Sequence, residues 1–222
     1  MTFEEWRITA FTLRTALLTT LMIAPPGILL AWWMARRSWP GKSLVDTLLA
    51  LPLVIPPVAT GLILLELMGR RGPVGGFLHR VFEIDVVFTW RAVLVAGGVM
   101  AFPLLVRAAR VGFEQAQEEM EDAAKVEGAD ALQVFWHVNL PLATRGIIAG
   151  LILAYARCLG EFGATILIAG NIPGRTTTIA TAIYQHVQLG QDASAYRLLL
   201  VSVALAFVAI WTSEYFLRRR PD

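Results

Sequence analysis

Residues 121–141 read EDAAKVEGADALQVFWHVNLP, and how this stretch folds decides how the chain on either side is arranged. Its alanines and acidic residues favour helix, and the acidic run extends upstream through Glu114, Glu118 and Glu119. Gly128 is a natural C-terminal breaker. Asp130 then offers an N-cap, and Gln133, three residues on, completes capping-box spacing. Leu132, Phe135, Trp136, Val138 and Leu140 follow before Pro141, which restarts the chain as the first residue of the next helix. The expectation is two short helices meeting at a glycine, with exposed apolar side chains rimmed by charge. Such a ridge marks a protein interface. A helical hairpin packed only on its own subunit would carry the same pattern.

Outward from this stretch the chain turns apolar in both directions. Of its 222 residues 56% are hydrophobic and 16% charged, against roughly a quarter charged in soluble domains; mean hydropathy is +0.61. Crossing a hydrocarbon core of about 30 Å takes about 20 helical residues. Thr15–Ala35 and Thr47–Leu65 are uncharged runs, and Val86–Trp90 continues into Ala92–Val106 across Arg91 alone. Gly146–Ala156 and Phe162–Ile172 flank a stretch holding Arg157 and Glu161, and Leu198–Ser213 lies between Arg197 and Glu214. The reading is an all-α integral membrane fold, one domain over 12–217, with five spans at about 8–35, 44–68, 88–111, 142–169 and 196–217. The polar segment 114–141 separates three spans from two. Because Arg36 and Arg37 follow the first apolar run, that run is read as a retained span and not as a signal peptide.

Basic residues alternate between the two sides. Arg36, Arg37, Lys42, Arg107, Arg110, Lys125, Arg145 and Arg218 to Arg220 share one side; Arg7, Arg14, Arg70, Arg71, Arg80, Arg91, Arg175 and Arg197 share the other. The excess puts the segment after Arg107 and the C-terminus in the cytoplasm, and three preceding spans then put the N-terminus outside. Trp32, Trp33, Trp39, Trp90 and Trp211 fall near span ends, as interfacial aromatics do. A net charge of +2 gives no reason to expect a nucleic-acid partner, and a single cysteine, Cys158, excludes an intrachain disulfide. His79, His137 and His186 form no His-Glu-x-x-His, and no Walker sequence occurs. The chain is therefore read as a non-enzyme with no catalytic residues, no metal and no cofactor of its own.

Prolines punctuate the spans: Pro25 and Pro26 in the first, Pro52, Pro56 and Pro57 in the second, Pro103 in the third. Each removes a backbone donor, which is costly against lipid unless protein or a wet cavity covers the break. Kinked helices around a path and ordinary kinks satisfied by neighbouring helices both fit. Arg157 and Glu161, spaced i and i+4, lie on one helix face and neutralise each other. Ala156, Gly160 and Ala164 recur every four residues, a stripe suited to close helix contact.

Asp122-Ala123-Ala124, Gly128, nine residues, Val138, one residue and Leu140-Pro141 resemble the cytoplasmic loop of binding-protein-dependent ABC importer permeases. That loop reads Glu-Ala-Ala, three residues, Gly, nine residues, Ile, one residue, Leu-Pro. Asp122, preceded by Glu121, replaces the glutamate and Val138 the isoleucine. Residues 30–42 (LAWWMARRSWPGK), 51–65 (LPLVIPPVATGLILL), 156–165 (ARCLGEFGAT) and 169–173 (AGNIP) are similar to the molybdate permease branch, with sulfate/thiosulfate permeases as close relatives. The resemblance implies a type I importer permease fold whose loop is a coupling helix, spanning Glu121 to Pro141. It implies a homodimer, two cytoplasmic ABC ATPases that bind ATP-Mg, an extracytoplasmic oxyanion-binding protein, and an inner-membrane location. On that reading Arg157, Glu161, Pro56 and Pro57 face a central path, while a buried pair that fixes packing remains the other reading of Arg157 and Glu161. Thr176–Gln188 is expected as an amphipathic helix on the outer face, with Arg70, Arg71 and Arg175 pairing with acids of the binding protein or simply solvated.

Overall fold

The computed structural model describes residues 1–36, 40–114, 128 and 130–218. Every regular element among them is helical: α1 (Phe3–Arg36), α2 (Lys42–Val54), α3 (Pro57–Met68), α4 (Pro73–Phe82), α5 (Trp90–Glu114), α6 (Ala131–Val134), α7 (Leu140–Leu159), α8 (Gly163–Ile168), α9 (Ile179–Gln188) and α10 (Asp192–Arg218). A π turn, Phe135–Asn139, joins α6 to α7. Among the described residues, four helical segments are long and apolar enough to cross a membrane: Phe3–Ala35, Trp90–Glu114, Phe135–Leu159 and Asp192–Thr212.

α5 is the central element, with Ala92, Ala96, Ala101, Leu105 and Ala109 fully enclosed. α1 lies parallel to it: Phe11 and Arg14 sit near Trp90, and Ala31 and Met34 cluster with Val106, Ala109 and Phe113. α7 runs antiparallel, because Gly146 meets Gly112 at one end and Cys158 meets Gly97 at the other. The α5–α7 approach depends on glycine at both sides. A Cβ on Gly146 would stand 2.7 Å from the Gly112 Cα, and one on Gly150 would stand 3.0 Å from the Leu105 carbonyl oxygen. Small residues let backbones approach where lipid supplies no hydrophobic drive. α10 packs on α7 and on α9, and its start is tied to the start of α1 by Arg197 and Glu5, 2.7 Å apart.

One expected span is corrected, and another breaks where its prolines were read to interrupt it. The second, about 44–68, is the pair α2 and α3, which meet at a bend of 109°. Ile55 and Pro56 are extended, with ψ 136° and 132°, because each proline of the Pro56-Pro57 pair pushes the residue before it out of the helical region. The fourth ends at Leu159 instead of continuing to 169, and α8 restarts the chain at Gly163. Elsewhere prolines interrupt less than expected. α1 runs through Pro25 and Pro26, and α5 through Pro103.

Candidate functional site

The polar segment after α5 is built on a firm seat. Arg110, near the end of α5, holds Asp46 of α2 at 2.9 Å and Glu114 at 2.7 Å. Glu121, Asp122, Ala123 and Ala124 lie outside the described residues, as does the first helix of the expected pair. Gly128 has φ +90° and open space around it, a backbone state that favours glycine. The Asp130 carboxylate accepts the Gln133 N–H at 2.7 Å, and the Gln133 side-chain oxygen accepts the Asp130 N–H at 3.0 Å. This is the reciprocal cap read from the sequence. It starts a helix that does not stop at Pro141, contrary to expectation. Pro141 has no N–H to give, and the helix widens just before it, so that the Leu140 N–H reaches back to the Phe135 carbonyl.

The apolar side chains expected to be exposed divide between the two readings. Phe135 is only 8% exposed. Its ring meets Trp32 edge-on at 5.0 Å and stacks on Phe113 at 6.5 Å, bolting the π turn to α1 and α5. Trp136, the next residue, is 56% exposed and lies edge-on to Phe135 at 5.5 Å. Val138 and Leu140 are half-buried and Pro141 is exposed; the Leu132 side chain lies outside the described residues. One aromatic anchors the segment and the other faces outward.

The second group lies where the two helix breaks meet. Gly163, at the start of α8, sits so close to α3 that a Cβ would be 2.6 Å from the Pro57 Cβ; a Cβ on Gly61 would be 2.8 Å from the Ala164 Cα. Glu161 lies in the α7–α8 break, 3% exposed, with Arg157 at 2.7 Å. Its other oxygen accepts the Ala164 N–H at 2.9 Å. The pair therefore forms at the expected spacing, but across a helix end and not along a continuous face. A Cβ on Gly160 would meet nothing within 4 Å, so the close approach expected of the small-residue stripe is not made there. Pro56 and Pro57 are exposed. The structure brings Arg157, Glu161 and Pro57 to one neighbourhood, with the carboxylate enclosed and the guanidinium, about a quarter exposed, reaching the surface.

Several structural residues escaped the sequence reading. Thr9, Thr12, Thr15, Thr19 and Thr20 are buried along α1. The hydroxyls of Thr9, Thr12, Thr15 and Thr20 donate to carbonyls three or four residues back, and Thr12 also accepts the Ile179 N–H at 3.0 Å, fixing the start of α9. Within the expected stretch 176–188, α9 covers Ile179–Gln188 and is opened by a Thr178–Thr181 capping box. The expected connection 69–85 contains α4, which Glu83 ends at φ 54°. Asp85 then grips Arg70 through two contacts of 2.6 and 2.8 Å. That guanidinium holds the Asp85 carboxyl below the usual carboxylate range. The recurrence of threonine at 9, 12, 15 and 19, the Thr178-x-x-Thr181 spacing and Gly146-x-x-x-Gly150 were the available signals.

The family described as "Binding-protein-dependent transport system inner membrane component" matches residues 27–220, which include both groups. The chain belongs to that family. Among family members, the molybdenum transport system permease protein ModB of Escherichia coli K12 is 45% identical over 219 residues, 98% of this chain and 96% of its own. A putative molybdenum permease of Bacillus subtilis is 40% identical, covering 83% and 82%. A sulfate permease, CysT of Salmonella typhimurium, is 35% identical, covering 90% and 72%. The permease fold extends to a bacterial alginate ABC transporter solved with its periplasmic protein, TM-score 0.73 at 19% identity, covering 99% of this chain and 80% of that one.

Proposed function

We propose that the chain is the membrane-spanning half of an ATP-driven importer of molybdate, with tungstate as the nearest chemical substitute. The observation that carries this reading is near-full-length identity of 45% to a molybdenum permease, against 35% to a sulfate permease. Sulfate or thiosulfate is the second reading, favoured by that weaker but still extensive likeness. Because a tetrahedral dianion is best selected by a soluble protein with many neutral donors, the membrane path need only be wide and weakly binding. Two copies around a two-fold axis would enclose it, each taking one cytoplasmic ATPase through the segment from Glu121 to Pro141.

In this reading Trp136, Leu132, Val138 and Leu140 meet the ATPase, while Phe135 carries the displacement into α1 and α5. Asp122, Ala123 and Ala124 belong to the same contact. The movement would reach the α2–α3 bend through the Arg110–Asp46 contact and change the opening beside Pro56, Pro57, Arg157 and Glu161. The C-terminus and the coupling segment lie in the cytoplasm of an inner-membrane protein, and the N-terminus lies outside. Reconstitution in proteoliposomes with the cognate ATPase and binding protein tests the cargo. Labelled molybdate should accumulate only with ATP, and excess tungstate should suppress it far more than excess sulfate. Equal suppression by sulfate would overturn the molybdate assignment.

A further inference from the structure

At the end of the bundle opposite the coupling segment, a cavity of about 290 Å³ opens between α1, the start of α5 and the loop before α9, lined by Phe11, Arg14, Thr15, Leu18, Thr89, Trp90, Gly174 and Arg175. Two of its walls carry arginine, and a third guanidinium, that of Arg7, lies 3.4 Å from where a Gly174 Cβ would stand. No carboxylate lines the space. Among the described residues, Arg7, Arg14 and Arg175 make no ion pair, whereas Arg70, Arg110, Arg157 and Arg197 each hold one. Gathering unpaired like charges around a concavity raises the electrostatic energy of the fold, and an anion in the middle reverses the sign. Guanidinium forks match the oxygens of a tetrahedral oxyanion.

We propose that this cavity is an anion site that takes a tetrahedral oxyanion group, held by Arg14 and Arg175 with Arg7 beside them. The group arrives either free, as a dianion, or as the phosphate of an anionic lipid headgroup. The cavity admits both. Phe11, Leu18 and Trp90 supply an apolar wall along which an acyl chain can lie, and Arg14 stands at the threshold of the uncharged run that begins at Thr15. The site needs no ATPase. It stands or falls separately from the transport reading, because capture of an ATPase by the coupling segment does not involve these arginines.

The test uses the full chain, wild type and with Arg14→Gln and Arg175→Gln combined. In one arm, sodium molybdate is titrated into phosphate-free detergent solution by calorimetry. In the other, native mass spectrometry follows retention of phosphatidylglycerol from mixed nanodiscs. Loss of two charge-assisted contacts should weaken the bound species at least about tenfold. Molybdate binding lost in the variant supports the site with a free anion. Phosphatidylglycerol retention lost in the variant supports it with a lipid. Arg14→Lys, which keeps the charge, should recover part of either signal and shows that the loss is not misfolding. If the variant binds molybdate and phosphatidylglycerol as the wild type does, or if neither probe binds the wild type, the site does not exist.

Discussion

Glu161 and Arg157 are unequal partners. The carboxylate is 3% exposed and the guanidinium 26%, so removing one is not equivalent to removing the other. Arg157→Gln leaves an enclosed carboxylate with only the Ala164 N–H, a loss of about 3 kcal/mol. Glu161→Gln keeps an acceptor for that N–H and leaves an arginine that can turn to the surface, at smaller cost. Thermal unfolding in detergent should rank Arg157→Gln well below Glu161→Gln, and equal melting temperatures would contradict the asymmetry. The pair of substitutions should recover much of the stability of the worse single one. If uptake stays lost in that stabilised double variant, the charges belong to the path. Gly146 gives a sharper residue-scale expectation. Its hydrogen faces the Gly112 Cα and the Ala108 carbonyl oxygen at under 3 Å for a Cβ, so Gly146→Ala forces two backbones apart and should cost about 1–3 kcal/mol, read by the same melting experiment.

Elements show what was legible and what was not. The capping box at Asp130 and Gln133 and the turn at Gly128 could be read directly, since both follow from local residue chemistry. Removing the cap by Asp130→Ala should cost about 1 kcal/mol and speed amide exchange in α6 while leaving α5 unchanged. The buried side of Phe135 could not be read. It depends on a π turn that shifts the helix face, and that turn answers Pro141 together with the packing of Trp32 and Phe113, which are distant in sequence. The α2–α3 bend was half legible: Pro56-Pro57 announces a break, but neither its 109° angle nor the packing of α8 on α3 follows from the two prolines. The Arg70–Asp85 clip makes a pH prediction. A carboxyl held below its ordinary range contributes stability that is present above that ordinary value, about 4, and is lost as pH falls through the lowered one. Exchange protection across residues 83–89 should fall on such acidification. Asp85→Asn should be loose at every pH, and protection that persists unchanged in it would show that the clip does nothing.

At the scale of the whole molecule, α1 and α10 start at the same end of the bundle, joined by Glu5 and Arg197, so the start of α1 and the last described turn of α10 lie at opposite ends. A cysteine at residue 2 and one at residue 128, in a chain with Cys158 replaced by Ala, should react with an impermeant maleimide from opposite sides of the membrane. Labelling of both from one side would mean that the bent pair enters and leaves by the same face. The sequence pattern was read as five spans, against four membrane-length helices and one bent pair among the described residues, and said nothing of which end of α3 finds which neighbour.

The bend has a consequence for how the polypeptide is made. Neither arm, 13 and 12 residues long, reaches across about 30 Å of hydrocarbon at 1.5 Å per residue, and the Gly61–Ala164 seat that holds α3 is translated about a hundred residues later. A nascent chain halted after α5 should therefore leave α2 and α3 accessible to protease in the insertion machinery. Only release of a chain reaching past Ile168 should lock them into the bilayer.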